Sequence, residues 1–122
     1  MSIFTSPSAV LTHVTDYYDC TVDHPFKAHP QYAVIRHRGT RTWFGLLMRI
    51  SEYTLGISDS EDEILVLNVK ADPQDVDFLQ SLPGFAPAYH MNKTHWVSVI
   101  LDGTVPDAQV EELIATSYAL TE

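Results

Sequence analysis

Apolar positions in this chain recur with two different periods, and the changes of period divide it into elements. After Ser6-Pro7, residues Val10, Val14 and Tyr17 or Tyr18 recur at helical spacing and define one face of a first helix. Ser6 suits the cap and Pro7 the first helical position, where a missing N–H is not needed. The β-branched Thr12, Val14 and Thr15 lower the intrinsic propensity of this helix, so packing has to hold it. Cys20 is expected to close it, and Pro25 and Pro30 bound an irregular connection. Tyr32 to His37 and Thr42 to Ile50 are rich in β-branched and aromatic residues and predict two strands. Between them Arg38-Gly39-Thr40-Arg41 predicts a tight hairpin, with Gly39 free to take a positive φ. Residues 51–63, ending in Asp59-Ser60-Glu61-Asp62-Glu63, predict a solvated loop.

Ile64 to Val69 is a continuous apolar run of strand length, as a central strand covered on both faces requires. Asp72-Pro73 then opens a second helix, whose buried stripe is Val76, Leu79 and Leu82 and which Pro83-Gly84 stops. Phe85 to His90 predicts a short extended segment, and His95 to Leu101 a strand closed by Asp102-Gly103. A last helix begins near Pro106, with Val110, Leu113, Ile114, Ser117 and Tyr118 on its inner side. The order is helix, three strands, helix, one or two strands, helix. Hairpin-linked strands favour an antiparallel sheet with helices on one face, an α+β two-layer sandwich. No repeat, linker or low-complexity tract divides residues 1–122, which are expected to form one domain.

Composition narrows the classes. An apolar fraction of 45% with thirteen aromatics supplies core material, so global disorder is not expected. No apolar run approaches the roughly 18–20 residues that span a bilayer, and Met1 to Val10 lacks the pattern of a secretory signal. Cys20 is the only cysteine, which excludes an internal disulfide and a Cys-rich zinc site. Cytoplasmic residence without membrane contact is the expectation. The net charge of −9 is uneven: residues 1–58 hold five Lys/Arg against four acids, net +1, and residues 59–122 hold two against twelve, net −10. An acidic whole opposes tight nonspecific nucleic-acid binding, and the asymmetry weakens that objection.

Two clusters carry candidate chemistry. Arg36-His37-Arg38-Gly39-Thr40-Arg41 places Arg36, Arg38 and Arg41 at a hairpin, where they either track a phosphate backbone or keep a sheet edge from pairing with other molecules. Tyr89 to Trp96 gathers two imidazoles, an amide, an ammonium and two aromatics. In the functional reading Lys93 supplies charge, Asn92 and His90 hydrogen bonds, and Trp96 or Tyr89 a stacking face. In the structural reading Asn92 and His90 cap a tight turn and Trp96 fills core. His90 and His95, five apart, suit one face of neither helix nor strand, so no metal or other cofactor is expected. A general base at His90 or His95 would need a deep pocket, and Cys20 would need a paired base to act as nucleophile. Asp16, Asp19 and Asp23 recur about one turn apart near the first helix's expected end, where acids oppose the dipole, and read as a solvated face or, in the alternative, a weak cation site. There is no Gly-rich phosphate loop.

Three stretches resemble one family. Leu67-Asn68-Val69-Lys70-Ala71-Asp72-Pro73 is similar to the strand-to-helix segment of the MmcQ/YjbR family. Pro83-Gly84-Phe85-Ala86-Pro87-Ala88-Tyr89-His90-Met91-Asn92-Lys93-Thr94-His95-Trp96 resembles its Tyr-His-Met-Asn-Lys hallmark followed by His-Trp. Leu101-Asp102-Gly103-Thr104-Val105-Pro106-Asp107, with Leu113-Ile114 and Ser117-Tyr118, resembles its C-terminal end. His24-Pro25-Phe26, and Gly39 with Phe44, are similar to features of its first half. Ala88 stands where the family pattern has glycine, and Thr94 where it has a second lysine. The resemblance implies a secretion-chaperone-type fold, helix–three strands–helix–two strands–helix. It also implies DNA binding through a "double wing" sheet surface, an analogy at the level of fold. The expectation is a small non-enzymatic binding or regulatory domain, with the hairpin arginines and Tyr89, His90, Asn92, Lys93, His95 and Trp96 as binding residues. Its partner is nucleic acid or, in the alternative, another protein or a second copy docked on an open sheet face.

Overall fold

The structure is a computed structural model and describes residues 3–122; Met1 and Ser2, part of the segment read as lacking a signal, lie outside the described residues. Helix α1 spans Pro7–Tyr17 and starts as expected, with Ser6 Oγ accepting from the Ala9 N–H at 3.3 Å. It ends earlier than expected. Tyr18 is already extended, and Cys20 opens a strand, β1 (Cys20–Asp23), instead of closing the helix. The Asp16, Asp19, Asp23 spacing therefore does not mark a helical face. Thr21 and Val22 are β-branched and find cross-strand partners in Arg36 and Ile35, which outweighs a helix already weak in propensity.

Five further strands follow: β2 (Ala33–His37), β3 (Trp43–Ser51), β4 (Glu63–Lys70), β5 (Phe85–Pro87) and β6 (Trp96–Ile100). All pair antiparallel, in the order β1-β2-β3-β4-β6-β5. Strand β5 is shorter than expected, because the chain turns away after Pro87. A one-turn helix, α2 (Glu52–Leu55), stands where a solvated loop was expected; Ser51 Oγ caps it through the Thr54 N–H at 3.1 Å, and Gly56 ends it at φ 85°. Helix α3 (Pro73–Gln80) is capped by Asp72 Oδ1, 3.0 Å from the Gln74 N–H, and α4 is Asp107–Leu120.

Helices α1, α3 and α4 pack on one face, closing a core that includes Val10, Val14, Ile35, Leu67, Val97 and Ile114. The opposite face is not open. Val34, Leu46, Met48 and Val66 on it are at most 1% exposed, because Phe26, Tyr32, Leu55, Tyr89 and Met91 fold across them from the connections and from α2. This corrects the expected docking face. A sheet face bearing that many large apolar side chains, each contributing about 1.5–3 kcal/mol on burial, is stable only when covered. The unbroken apolar run of β4 is explained by the same fact, since its residues feed both cores in alternation.

One irregularity shapes the hairpin end of the sheet. The β2–β3 register passes from Ile35↔Gly45 to Arg36↔Trp43, leaving Phe44 as an extra residue, a β-bulge. Phe44 turns its ring toward His37, Tyr18 and Tyr118 on the helix side. The β3–β4 ladder stops at Leu46↔Asn68, and beyond it the fully buried Ser117 of α4 takes the place of a rung. Its Oγ donates to the Phe44 carbonyl at 2.6 Å and accepts from the Lys70 N–H at 2.9 Å. Two buried backbone groups left unpaired by the bulge are thereby satisfied.

Candidate binding surface

The hairpin arginines are not free cations. Because side chains on one sheet face recur every second residue, Thr21 and Asp23 of β1 stand beside Arg36 of β2. Asp23 Oδ2 accepts from Arg36 Nε at 2.6 Å and from Arg41 Nη2 at 3.1 Å, and Asp19 Oδ1 accepts from Arg38 Nε at 2.7 Å. Arg38 and Asp19 are both largely exposed, so their pair is worth at most about 1 kcal/mol. The Asp23 pairs are more sheltered, with the Arg36 side chain only 20% exposed. Arg36 also lies over the Trp43 ring, its Cζ 5.3 Å from the centroid. Arg41 sits at φ 67°, so the hairpin's positive-φ residue is an arginine and not Gly39. The signal that would have found these pairs was present: Asp19-Cys20-Thr21-Val22-Asp23 also reads with a period of two.

The Tyr89–Trp96 connection is a turn anchored to the sheet, with several of its polar side chains exposed. Asn68, fully buried on β4, donates from Nδ2 to the Tyr89 carbonyl at 2.8 Å and accepts from the Ser98 hydroxyl. This fastens the connection to the sheet. Tyr89 and Met91 then pack on the second core. Asn92 forms an Asx turn, Oδ1 accepting from the Thr94 N–H at 2.8 Å, while its carbonyl accepts from the His95 and Trp96 N–H groups. His90 takes a positive φ of 67° and rests its ring 3.9 Å from that of Tyr89. His90, Asn92, Lys93 and His95 are exposed and Trp96 is half-buried. A deep pocket around the two imidazoles is what a general base required; both stand on the open surface.

The register brings the two clusters to one end of the sheet. β2 runs into the hairpin tip, β4 ends at Lys70 on the same side, and Lys70 pairs with Trp96 where the connection re-enters the sheet. Arg36, Trp43, Lys70 and Trp96 share the sheet face opposite the helices, by alternation from Val34, Asn68 and Ser98. Among the described residues Lys70 and Lys93 form no ion pair, and the Trp96 indole has no ring partner. Lys70 was not singled out from the sequence. Its alternation with Val66 and Asn68 was the available signal. Cys20, on the neighbouring edge strand, is buried with Sγ donating to the Val14 carbonyl at 3.4 Å; burial pushes its thiol up from the ordinary value of 9.0, more than nearby Arg38 lowers it. A thiol held protonated in this way is a packing group.

A six-stranded antiparallel sheet backed by helices, with a fastened polar connection at one end, defines a small α+β domain of a recognisable class. The YjbR family model matches residues 15–120, and the chain belongs to that family. The uncharacterized protein YyaQ of Bacillus subtilis (strain 168) is 36% identical over 113 residues, 93% of this chain and 95% of that one. YjbR of Escherichia coli K12, also uncharacterized, is 27% identical over 77 residues, 62% of this chain and 65% of its own. A crystal structure of a Pseudomonas syringae protein superposes with a TM-score of 0.91 at 36% identity, covering 96% of this chain and 99% of that one. No helix among the described residues is long and apolar enough to cross a membrane.

Proposed function

We propose that this is a non-enzymatic binding domain of the cell interior that holds single-stranded nucleic acid at the Lys70–Trp96 end of its sheet. Trp96 offers a stacking face, Lys70 and Lys93 meet phosphates, and the exposed His90, Asn92 and His95 line the approach. One observation carries the reading: Lys70, paired in register with the half-buried Trp96, and the exposed Lys93 three residues before it form no ion pair among the described residues, in a chain whose arginines are mostly engaged. Stacking on an aromatic contributes about 1–3 kcal/mol per base and is tolerant of sequence. A duplex-reading wing is disfavoured, because the guanidiniums that would enter a groove are tied to Asp19 and Asp23.

With two phosphate contacts the affinity is weak, and log K falls with log salt with a slope of about −1.4. Fluorescence anisotropy with labelled single-stranded DNA, single-stranded RNA and duplex DNA at low salt tests it. Binding of single strands that drops about tenfold in Trp96→Ala and loses its salt dependence in Lys70→Ala/Lys93→Ala is the expected result. No binding at about 100 μM protein, or equal binding by the lysine double variant, overturns it.

A further inference from the structure

The side of the molecule that carries the helices has the opposite character. Between α3 and α4 runs a groove of about 300 Å³ with Ala71, Leu79 and Leu113 along its floor. Phe78 stands on its wall 65% exposed, which is a large area of aromatic surface to leave in water. Asp75 and Glu112 line the same groove and pair with no cation among the described residues. Neither α3 nor α4 contains a lysine or arginine anywhere along its length. On the far side of α4 a second groove of about 590 Å³ repeats the combination, with Tyr17 74% exposed beside Glu111 and with Glu112 shared between the two. The apolar groove and its rim thus make one acidic, aromatic-bearing face centred on α4.

We infer that the α3–α4 groove docks a cationic amphipathic helix of another protein. An apolar side chain of that helix covers Phe78 and enters over Leu79 and Leu113, and lysines or arginines one turn away meet Asp75 and Glu112. The argument is complementarity of both kinds at once. A purely basic ligand leaves Phe78 exposed, and a purely apolar one leaves carboxylates without partners at its edge. Nucleic acid is repelled by this face, so the occupant is distinct from that of the Lys70–Trp96 surface and does not depend on it. A second copy of this chain is a poor occupant, because none of its helices α1 to α4 carries a lysine or arginine.

The test uses a fluorescein-labelled synthetic helix of leucine and lysine with an amphipathic repeat, its glutamate-for-lysine counterpart, and a composition-matched scramble without amphipathicity. Titration of ¹⁵N-labelled protein with the first peptide should move resonances of α3 and α4 and spare those around Trp96. Phe78→Ser removes only an exposed ring, so the fold is retained, and it should weaken binding about tenfold. Asp75→Asn/Glu112→Gln should weaken it and flatten its salt dependence, and the glutamate peptide should not bind. The inference fails if Phe78→Ser binds as tightly as the parent, or if the scramble binds equally well, since either result reduces the face to charge alone. It also fails if light scattering shows a dimer that Phe78→Ser dissociates, which would make a second copy the occupant.

Discussion

The hairpin tip and the Tyr89–Trp96 connection lie at the same end of one sheet, yet they hold their charges differently. At the hairpin every arginine has a carboxylate within 3.1 Å, from Asp23 of β1 or from Asp19 just before it. At the connection the cations are fewer and unopposed, and the polar groups that are engaged, Asn68 and the Asn92 carboxamide, serve the backbone. A count of basic residues therefore overstates the charge that the hairpin has left to offer a partner. What matters is which charges the fold has already spent on itself.

The sharpest way to break the contrast is to release the connection. Asn68→Ala removes the donor to Tyr89 and the acceptor for Ser98, both buried, and should cost about 3 kcal/mol in chemical denaturation. It should also raise amide exchange across residues 88–95 while leaving the hairpin unchanged. Ser117→Ala attacks the ground between the two regions. It strands the Lys70 N–H and the Phe44 carbonyl and should cost about 2 kcal/mol; Ser117→Thr, which keeps the hydroxyl, should recover part of that loss. Asp23→Asn sharpens the comparison from the other side. It should cost about 1 kcal/mol and, by freeing Arg36 and Arg41, strengthen single-strand binding and steepen its salt dependence. If binding falls instead, the hairpin contributes through its geometry and not through its charge.

The smallest effect is alkaline. Burial raises the Cys20 thiol above its ordinary 9.0, and burial likewise raises the Tyr18 and Tyr32 hydroxyls above 10.0. The unfolded chain then loses these protons first, so stability is whole below about pH 9 and declines as pH climbs through the folded-state values. Cys20→Ala should flatten the earliest part of that decline, measured by denaturant midpoints between about pH 7 and pH 10.

Much of this architecture was legible in the residues. The apolar runs of β3, β4 and β6, the Asp72-Pro73 cap and the inner stripe of α4 are local signals that packing did not overrule. Strand β1 was misread because acids three and four apart mimic a helical face, which masked the period of two that Asp19 to Asp23 also carries. The covered second face was not legible either. Phe26, Tyr32, Tyr89 and Met91 come from connections far apart in sequence, and no periodicity links them. At the candidate surface the aromatic and the loop cation were visible, whereas Lys70 became relevant only through its register with Trp96.

Ser117 has a consequence for the order of biosynthesis. Helix α4 follows all six strands in the chain, yet its hydroxyl supplies the contact between β3 and β4 at the Lys70 end. A nascent polypeptide emerging from the ribosome can zip the rest of the ladder earlier, but there the carbonyl of Phe44 and the amide of Lys70 wait for a residue made more than forty positions later. The proposed working end of the sheet is the last part of the molecule to be finished.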